Sequence, residues 1–205
     1  MAEWDRVGAL RRDFADMVEG LSPEQLEQQS LCDAWTARGV LCHVTSFVAT
    51  SLPRFMFTVA RSRGDFGRAS QTMARTQLDR PVADVIAELR AKATKSAPLP
   101  MFPEEMTLTD MAIHTQDVRR PLGLEGSLSP DTLRDALDFL TTHKHATTLV
   151  DRKPLDGVKL APSDIDWAFG DGAEITGPAE AIMMALADRP VALDEISGEG
   201  AARWR

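Results

Sequence analysis

The stretch "DMAIHTQDVRRPLG", residues 110–123, is predicted to be a helix that ends at its Pro-Leu-Gly segment. Asp110, His114 and Asp117 are spaced by four and three residues, which places all three on one face of such a helix. A carboxylate buried on that face must be paired, neutralised or bound to a metal, because an isolated buried charge is very costly. The stretch therefore predicts a polar stripe that faces either water or a site on another helix.

A second helix is predicted from "DAWTARGVLCHV", residues 33–44, with Thr36 as its N-cap. His43 lies on the apolar stripe of this helix, where a single histidine is either a core residue or a ligand. The presence of Asp110 and His114 favours the interpretation of His43 as a metal ligand. On a facing helix, His43 would complete a set of three donors around one point. Metal sites in helical bundles are built in this way, from side chains that project inward.

The two histidines and Asp110 predict an open metal centre. Three protein ligands leave coordination positions for water or substrate, which is typical of a catalytic site. Two imidazoles and one carboxylate suit zinc, which is expected first, and also nickel, iron or manganese. Asp117 is predicted to accept a hydrogen bond from the N–H of a metal-binding imidazole and so to orient that ring. The alternative for Asp117 is an exposed partner of Arg119 or Arg120.

The remaining histidines and the two cysteines are predicted to lie outside this centre. His143 and His145 are two residues apart, so they cannot share a helix face and are predicted at the surface. Cys42 precedes His43 and must point elsewhere, and no CxxC motif joins it to Cys32. Both cysteines are expected to be reduced thiols. No side chain is assigned as a catalytic residue.

Hydrophobic periodicity predicts a mainly α fold with a small C-terminal α+β appendage. Helical spacing dominates residues 1–150 and shorter β-like runs follow in residues 151–205, so a domain boundary is predicted between them. The appendage is too small to hold a large core alone. The predicted helices are 4–20, a short one after the capping box at Ser22, one from Thr36 that Pro53 kinks or ends, 81–97, one from near Pro103, 129–150 and 178–189. The other predicted features are a break at "GDFGRAS" (64–70), a strand at 165–169, a hairpin turn at "GDG" (170–172) and a returning strand at 191–197.

The charge and hydrophobicity of the chain argue against nucleic acid and membranes as partners. The chain has 205 residues, of which 43% are hydrophobic and 26% charged, with a formal net charge of −8 and a pI of about 5.0. An acidic surface repels nucleic acid and anionic lipid, so neither is an expected partner. The apolar stretches are far shorter than a membrane span, and the N-terminus lacks the apolar core of a signal peptide. A cytoplasmic protein is therefore expected, either a monomer or a homodimer.

The motifs "CDAWTARGVLCHV" and "DMAIHTQDVRRPLG" resemble those of the DinB/YfiT-like metalloenzymes, and within them the mycothiol-dependent maleylpyruvate isomerase-like family. The tail at residues 157–190 is also similar to the C-terminal region of such proteins. The resemblance implies a DinB-like four-helix bundle in which His43, Asp110 and His114 hold a divalent metal. The isomerase itself has Glu at the position of Asp110, and the tail here is short.

The resemblance also implies a thiol chemistry. An open-sided metal can bind mycothiol and hold it as the nucleophilic thiolate at neutral pH. Thiolate addition to an activated alkene, then rotation and elimination, isomerises the substrate, whereas addition without elimination is S-transfer. A mycothiol-dependent isomerase or thiol S-transferase is thus implied, with a small-molecule thiol and a small electrophile as partners. Two alternatives stay open: a non-haem Fe(II) enzyme, and a non-catalytic bundle that binds metal for stability, sensing or partner binding.

Overall fold

The computed structural model describes residues 4–96, 102–150 and 152–205, with only the backbone of Thr148. Helices account for 59% of it, and a small three-stranded sheet lies near the C-terminus. The predicted class, mainly α with a small α+β appendage, is confirmed. Within these ranges, no helix has the length and apolar character needed to cross a membrane.

The elements follow one another in a simple order. The helices are α1 (Asp5–Glu19), α2 (Pro23–Leu26), α3 (Ala37–Ala49), α4 (Leu52–Arg61), α5 (Phe66–Leu78), α6 (Val82–Ala91), α7 (Glu104–Arg119), α8 (Pro130–Thr142), α9 (Ala146–Leu149) and α10 (Ala179–Leu186). The strands are β1 (Val158–Pro162), β2 (Phe169–Gly170) and β3 (Ala173–Gly177), and two 3-10 helices, Pro190–Glu195 and Glu199–Arg203, come after α10.

The chain forms two compact units. One comprises Met1–Thr107 and Asp117–Leu124, and the other comprises Leu108–Gln116 and Glu125–Arg205. Helix α7 belongs to both, since its two ends count with the first unit and its middle with the second. These units are groups of residues in mutual contact. The domain boundary at residue 150 stays a prediction.

Side-chain caps start the early helices where the sequence predicts them. Ser22 forms a complete capping box with Gln25, so α2 begins at the proline between them. Thr36 accepts a hydrogen bond from the backbone N–H of Gly39 at 3.2 Å and thereby starts α3. Within the first unit, α3 then packs mainly against α5 and α6.

Pro53 ends the predicted long helix rather than kinking it. Helix α3 stops at Ala49, Thr50 and Ser51 are extended, and α4 begins at Leu52 with the proline in its first turn. A proline is tolerated there because the first-turn N–H groups have no intrahelical acceptor. The interruption divides one hydrophobic stripe between two helices.

The predicted break at residues 64–70 is wrong for most of its length, because helix α5 begins inside it. Asp65 accepts a hydrogen bond from the backbone N–H of Arg68 at 2.9 Å, which caps the new helix. Its two glycines disguised this start, although the cap is an ordinary one. Helix α6 is shorter than predicted, ending at Ala91, and residue 97 of the prediction lies outside the described residues.

The single helix predicted at 129–150 is divided in the second unit. Ser129 caps α8 by accepting from the backbone N–H of Thr132 at 3.2 Å, as the sequence indicates. The helix ends at Thr142, and His143 adopts an extended conformation before the short α9. The guanidinium of Arg152 donates to the carbonyl oxygen of Leu140 at 2.6 Å, so the last turn is capped by a later residue.

The sheet differs from the predicted hairpin. Its strand order is β2-β1-β3, with β1 antiparallel to β2 and parallel to β3. The "GDG" turn at 170–172 is therefore not a hairpin turn, because the strands on its two sides both pair with β1. Of the predicted strand at 165–169 only Phe169 lies in β2. The returning strand at 191–197 is also wrong, since Pro190 opens a 3-10 helix and only Ser197 forms a bridge, with Thr176.

Helix α10 anchors the sheet of the second unit, and it forms where it is predicted. Asp164 Oδ1 accepts from the backbone N–H of Ala179 at 2.8 Å at the helix start. Apart from Glu180, its residues are buried, and they contact α8, β1 and β3. The apolar run from Ile182 to Leu186 therefore supplies the core that covers the sheet.

Gly172 is required by a close approach between two backbone segments. A Cβ atom at this position would lie 2.0 Å from the carbonyl carbon of Gly157, which must move to admit it. We expect Gly172→Ala to lower the free energy of unfolding by about 1–3 kcal/mol, as overpacking does. Gly67→Ala is the control, because its Cβ would meet only the side chain of Asp65 at 3.4 Å. Urea unfolding followed by circular dichroism would check both, and equal stability of the two variants would contradict the expectation.

Candidate metal centre

The imidazole of His43 is held on the buried face of α3. The ring centroid lies 5.3 Å from that of Trp35 and 5.2 Å from that of Phe47, which meets it edge-on. Nδ1 lies 2.9 Å from Oγ of Ser70 on α5. The other ring nitrogen, Nε2, is buried as well. Two rings and a hydroxyl thus restrict the imidazole.

Asp110 and His114 form an adjacent pair on α7. His114 Nε2 lies 3.5 Å from Oδ1 of Asp110, as expected for side chains one helical turn apart. Their side chains are 10% and 19% exposed for His114 and Asp110 respectively, so both are largely shielded from water. In the absence of a metal this contact is an ion pair whenever the imidazole carries a second proton.

His43, Asp110 and His114 come together as the sequence predicts. One ligand atom from each lies within 4.8 Å of the other two. Donors about 2.0–2.1 Å from a tetrahedral zinc ion are roughly 3.4 Å from one another, so the 3.5 Å between His114 and Asp110 already suits a shared ion. All three ligand atoms lie within 4.8 Å of one another, so the side chains would have to move closer for all three to share one ion. The donor set therefore fits a divalent metal in its chemistry, and His114 and Asp110 already have the spacing that a shared ion requires.

A comparison with known families bears on the same residues. The family model described as "Mycothiol maleylpyruvate isomerase N-terminal domain" matches residues 7–119, more than half of the chain. The chain belongs to this family. The matched range includes His43, Asp110 and His114 and ends with helix α7, so the sheet and α10 lie outside it. Among curated proteins and solved structures, none matches the chain.

Membership of the mycothiol maleylpyruvate isomerase N-terminal domain family confirms the resemblance drawn from the two motifs. The first motif lies inside the matched range, and the second lies inside it as far as Arg119. The first motif leads into helix α3 and the second contains the C-terminal part of α7, and these two helices carry the clustered donors. The matched range contains the three side chains that the geometry brings together.

Asp117 lies at the buried end of the predicted stripe. It has no exposed surface, so the solvent exposure expected in the alternative is wrong, whereas its pairing with Arg119 or Arg120 stays a prediction. Its backbone oxygen accepts from the N–H of Leu31 at 2.9 Å. The predicted role of its carboxylate behind the metal ligands stays a prediction.

The other two histidines lie near each other but outside the cluster. They follow the end of α8 rather than a helix face, so their two-residue spacing permits ring centroids 5.3 Å apart. His143 also stacks on Phe139 with centroids 4.7 Å apart. Both His143 and His145 are half-buried, which is less exposed than the predicted surface position.

Ser70 is a site residue that the sequence analysis missed. It lies in α5, and the break predicted at residues 64–70 left no helix on which to place it. The capping signal of Asp65 would have revealed the helix. The contact with the ring of His43 requires the packing of α5 on α3, which no spacing in the sequence encodes.

The two cysteines differ sharply in their surroundings. Cys42 is buried, and burial raises the pKa of its thiol to about 11, so it stays protonated at neutral pH. Cys32 is half-buried. A protonated, buried thiol is neither a nucleophile nor a metal ligand, which agrees with the exclusion of Cys42 from the centre.

Thiol titration should separate these two cysteines. With an aromatic disulfide reagent at pH 8, we expect one thiol of the native chain to react readily and both to react in denaturant, because Cys42 is shielded and protonated. Absorbance of the released thiolate measures both phases. Cys32→Ser should remove the readily reacting thiol, and equal reaction rates for both native thiols would contradict the assignment.

Proposed function

We propose that the chain is a divalent-metal-binding, mycothiol-dependent isomerase or thiol S-transferase that acts on a small electrophile. Family membership supports mycothiol as the small-molecule thiol. The observation that carries the metal is the approach of the three ligand atoms to within 4.8 Å of one another. A cytoplasmic location and a monomeric or homodimeric state belong to the same proposal.

In this proposal His43, Asp110 and His114 are the metal ligands. Three protein donors leave open positions, so a small molecule can enter the coordination sphere. Bound there, a divalent ion would hold a thiol as thiolate at neutral pH, which is the nucleophile that addition to an activated alkene needs. Zinc is the first expectation for the ion, with nickel, iron or manganese as alternatives.

The charge of the donor set favours an anionic thiol. Two neutral imidazoles and one carboxylate leave a divalent ion with a net charge of +1, so Asp110 balances half of the metal charge. Binding of one thiolate would complete the neutralisation in a place that is shielded from water. The donors thus select a thiolate over the neutral thiol, and they do so without a nucleophilic side chain of the protein.

A second candidate function follows from the same donors. Two histidines and one carboxylate are also the ligand set of non-haem Fe(II) enzymes, which use their open positions for oxygen. Anaerobic metal analysis with oxygen-uptake assays would distinguish this from thiol chemistry. A non-catalytic metal-binding bundle is the third candidate, and a metal that binds neither thiol nor oxygen would favour it.

The ligand assignment predicts the metal content of single variants. His43→Ala, Asp110→Ala and His114→Ala should each lower the affinity for Zn²⁺ by at least about tenfold, because each removes a direct donor. Helix α7 should persist in the Asp110 variant, since alanine is a good helix former. Competition against a fluorescent zinc chelator gives the affinity, and circular dichroism reports the fold.

Two controls match the deleted side chains. Asp131→Ala removes an exposed carboxylate paired with Arg134 at 2.9 Å, and His145→Ala removes an imidazole outside the cluster. Both variants should bind zinc as the natural chain does. Full zinc affinity in Asp110→Ala would show that this carboxylate is not a ligand.

The thiol chemistry has a spectroscopic test. Co²⁺-loaded protein should develop a sulfur-to-metal charge-transfer band when mycothiol is added, and binding should release about one proton per site near pH 7, because a coordinated thiol is deprotonated. Ultraviolet absorption and a pH-indicator titration measure the two effects. His114→Ala should abolish the band. Loaded, folded protein that shows neither effect at millimolar mycothiol would reject the thiol chemistry and leave the metal-binding bundle.

A further inference from the structure

We propose that Ser70 is a positioning residue that orients His43, so that Nε2 is the nitrogen presented to the metal. The inference deepens the proposed function and rests on its metal-binding part, but it needs neither mycothiol nor turnover. Its basis is the 2.9 Å separation between Oγ of Ser70 and Nδ1 of His43.

A neutral imidazole has one nitrogen that donates a hydrogen bond and one that accepts. A nitrogen that binds a metal must supply its lone pair, so the proton must reside on the other nitrogen. With Nδ1 facing the hydroxyl of Ser70, the metal-binding tautomer carries its proton on Nδ1 and donates it to Oγ. The buried Nε2 then offers its lone pair to the ion.

The aromatic neighbours of His43 do not determine which ring nitrogen faces the metal. Trp35 and Phe47 contact the ring at centroid distances of 5.3 and 5.2 Å, which restricts its plane. A half-turn of the ring about its bond to Cβ would preserve that plane and exchange the position of Nδ1 with that of a carbon atom. The hydrogen bond with Ser70 opposes the half-turn, because a carbon atom in place of Nδ1 would leave the hydroxyl without this partner.

The position of Ser70 is well suited to this role. Asp65 caps α5, and Ser70 follows in the second turn of the helix, whose residues pack against α3. The side chain is short, so its Oγ is placed by the helix backbone with only one rotatable bond. A hydroxyl can also accept the ring proton while donating its own, and it imposes no charge on the ligand. Groups that hold a ligating histidine from behind commonly change metal affinity by about 10–100-fold.

The chain contains a matched control for Ser70. Ser46 also donates a hydrogen bond to His43, at 2.7 Å, but to the backbone carbonyl oxygen rather than to the ring. Ser46 is fully buried, so its removal costs packing at least as severely as removal of the half-buried Ser70. Comparing the two deletions separates orientation of the ring from a general loss of structure near His43.

The experiment measures metal affinity and the state of the imidazole in Ser70→Ala, Ser70→Thr and Ser46→Ala. Zinc affinity comes from chelator competition, and the protonated nitrogen of His43 comes from nitrogen-15 NMR of histidine-labelled protein. Ser70→Ala should bind zinc about 10–100-fold more weakly. Ser70→Thr restores the hydroxyl, so its zinc affinity should be within a few-fold of that of the natural chain. Ser46→Ala should bind zinc with the affinity of the natural chain. In the zinc-loaded natural chain the proton should be on Nδ1 of His43.

The outcomes distinguish this inference from the proposed function. If the natural chain binds zinc and a folded Ser70→Ala variant binds it within threefold as tightly, the positioning role is rejected while the metal site stands. A zinc-loaded His43 protonated on Nε2 rejects it as well. If Ser70→Ala alone loses affinity but mycothiol gives no charge-transfer band, the positioning role stands and the thiol chemistry fails. A natural chain that binds no zinc or other divalent ion rejects both.

Discussion

A carboxylate and an imidazole lie one helical turn apart in the middle of α7, and the candidate centre depends on how their charge is balanced. Helix geometry alone brings Nε2 of His114 to 3.5 Å from Oδ1 of Asp110. Largely shielded from water, the carboxylate needs compensating positive charge, which the protonated imidazole or a metal ion can supply. His43 favours the metal ion. It adds a third donor within 4.8 Å, so the three side chains together can coordinate a metal.

The surroundings of His43 show how such a set can be ready before an ion arrives. Two aromatic rings fix the plane of the imidazole, and the hydroxyl of Ser70 distinguishes its two edges. A ligand ordered in advance loses little conformational freedom on binding, so more of the coordination energy is expressed as affinity. The half-buried Ser70 orients the ring with one small, neutral polar group. A negatively charged partner in its place would add to the negative charge that the donors already carry.

Structure is predictable from this sequence where one local rule governs the outcome. The capping box at Ser22, the N-cap at Thr36 and the cap at Ser129 each bind an N–H three residues ahead, so their signatures are short and easily recognised. Structure is not predictable where two weak signals compete. The two glycines near Asp65 outweighed its capping signal, and α5 was overlooked. The "GDG" segment resembles a hairpin turn, but β1 takes both neighbouring strands as partners.

By itself the sequence determined the mainly helical class, the family and the three candidate ligands. Helical periodicity repeats every few residues, and the positions of His43, Asp110 and His114 lie in short motifs, so neighbouring residues contain this information. Only the tertiary structure decided the strand order of the sheet, the burial of Asp117 and the contact between Ser70 and Nδ1 of His43. Each of these depends on which segments pack together across many residues of intervening chain. That packing is determined by the free energy of the whole folded molecule. It produces no periodic pattern in the sequences of the segments that contact one another.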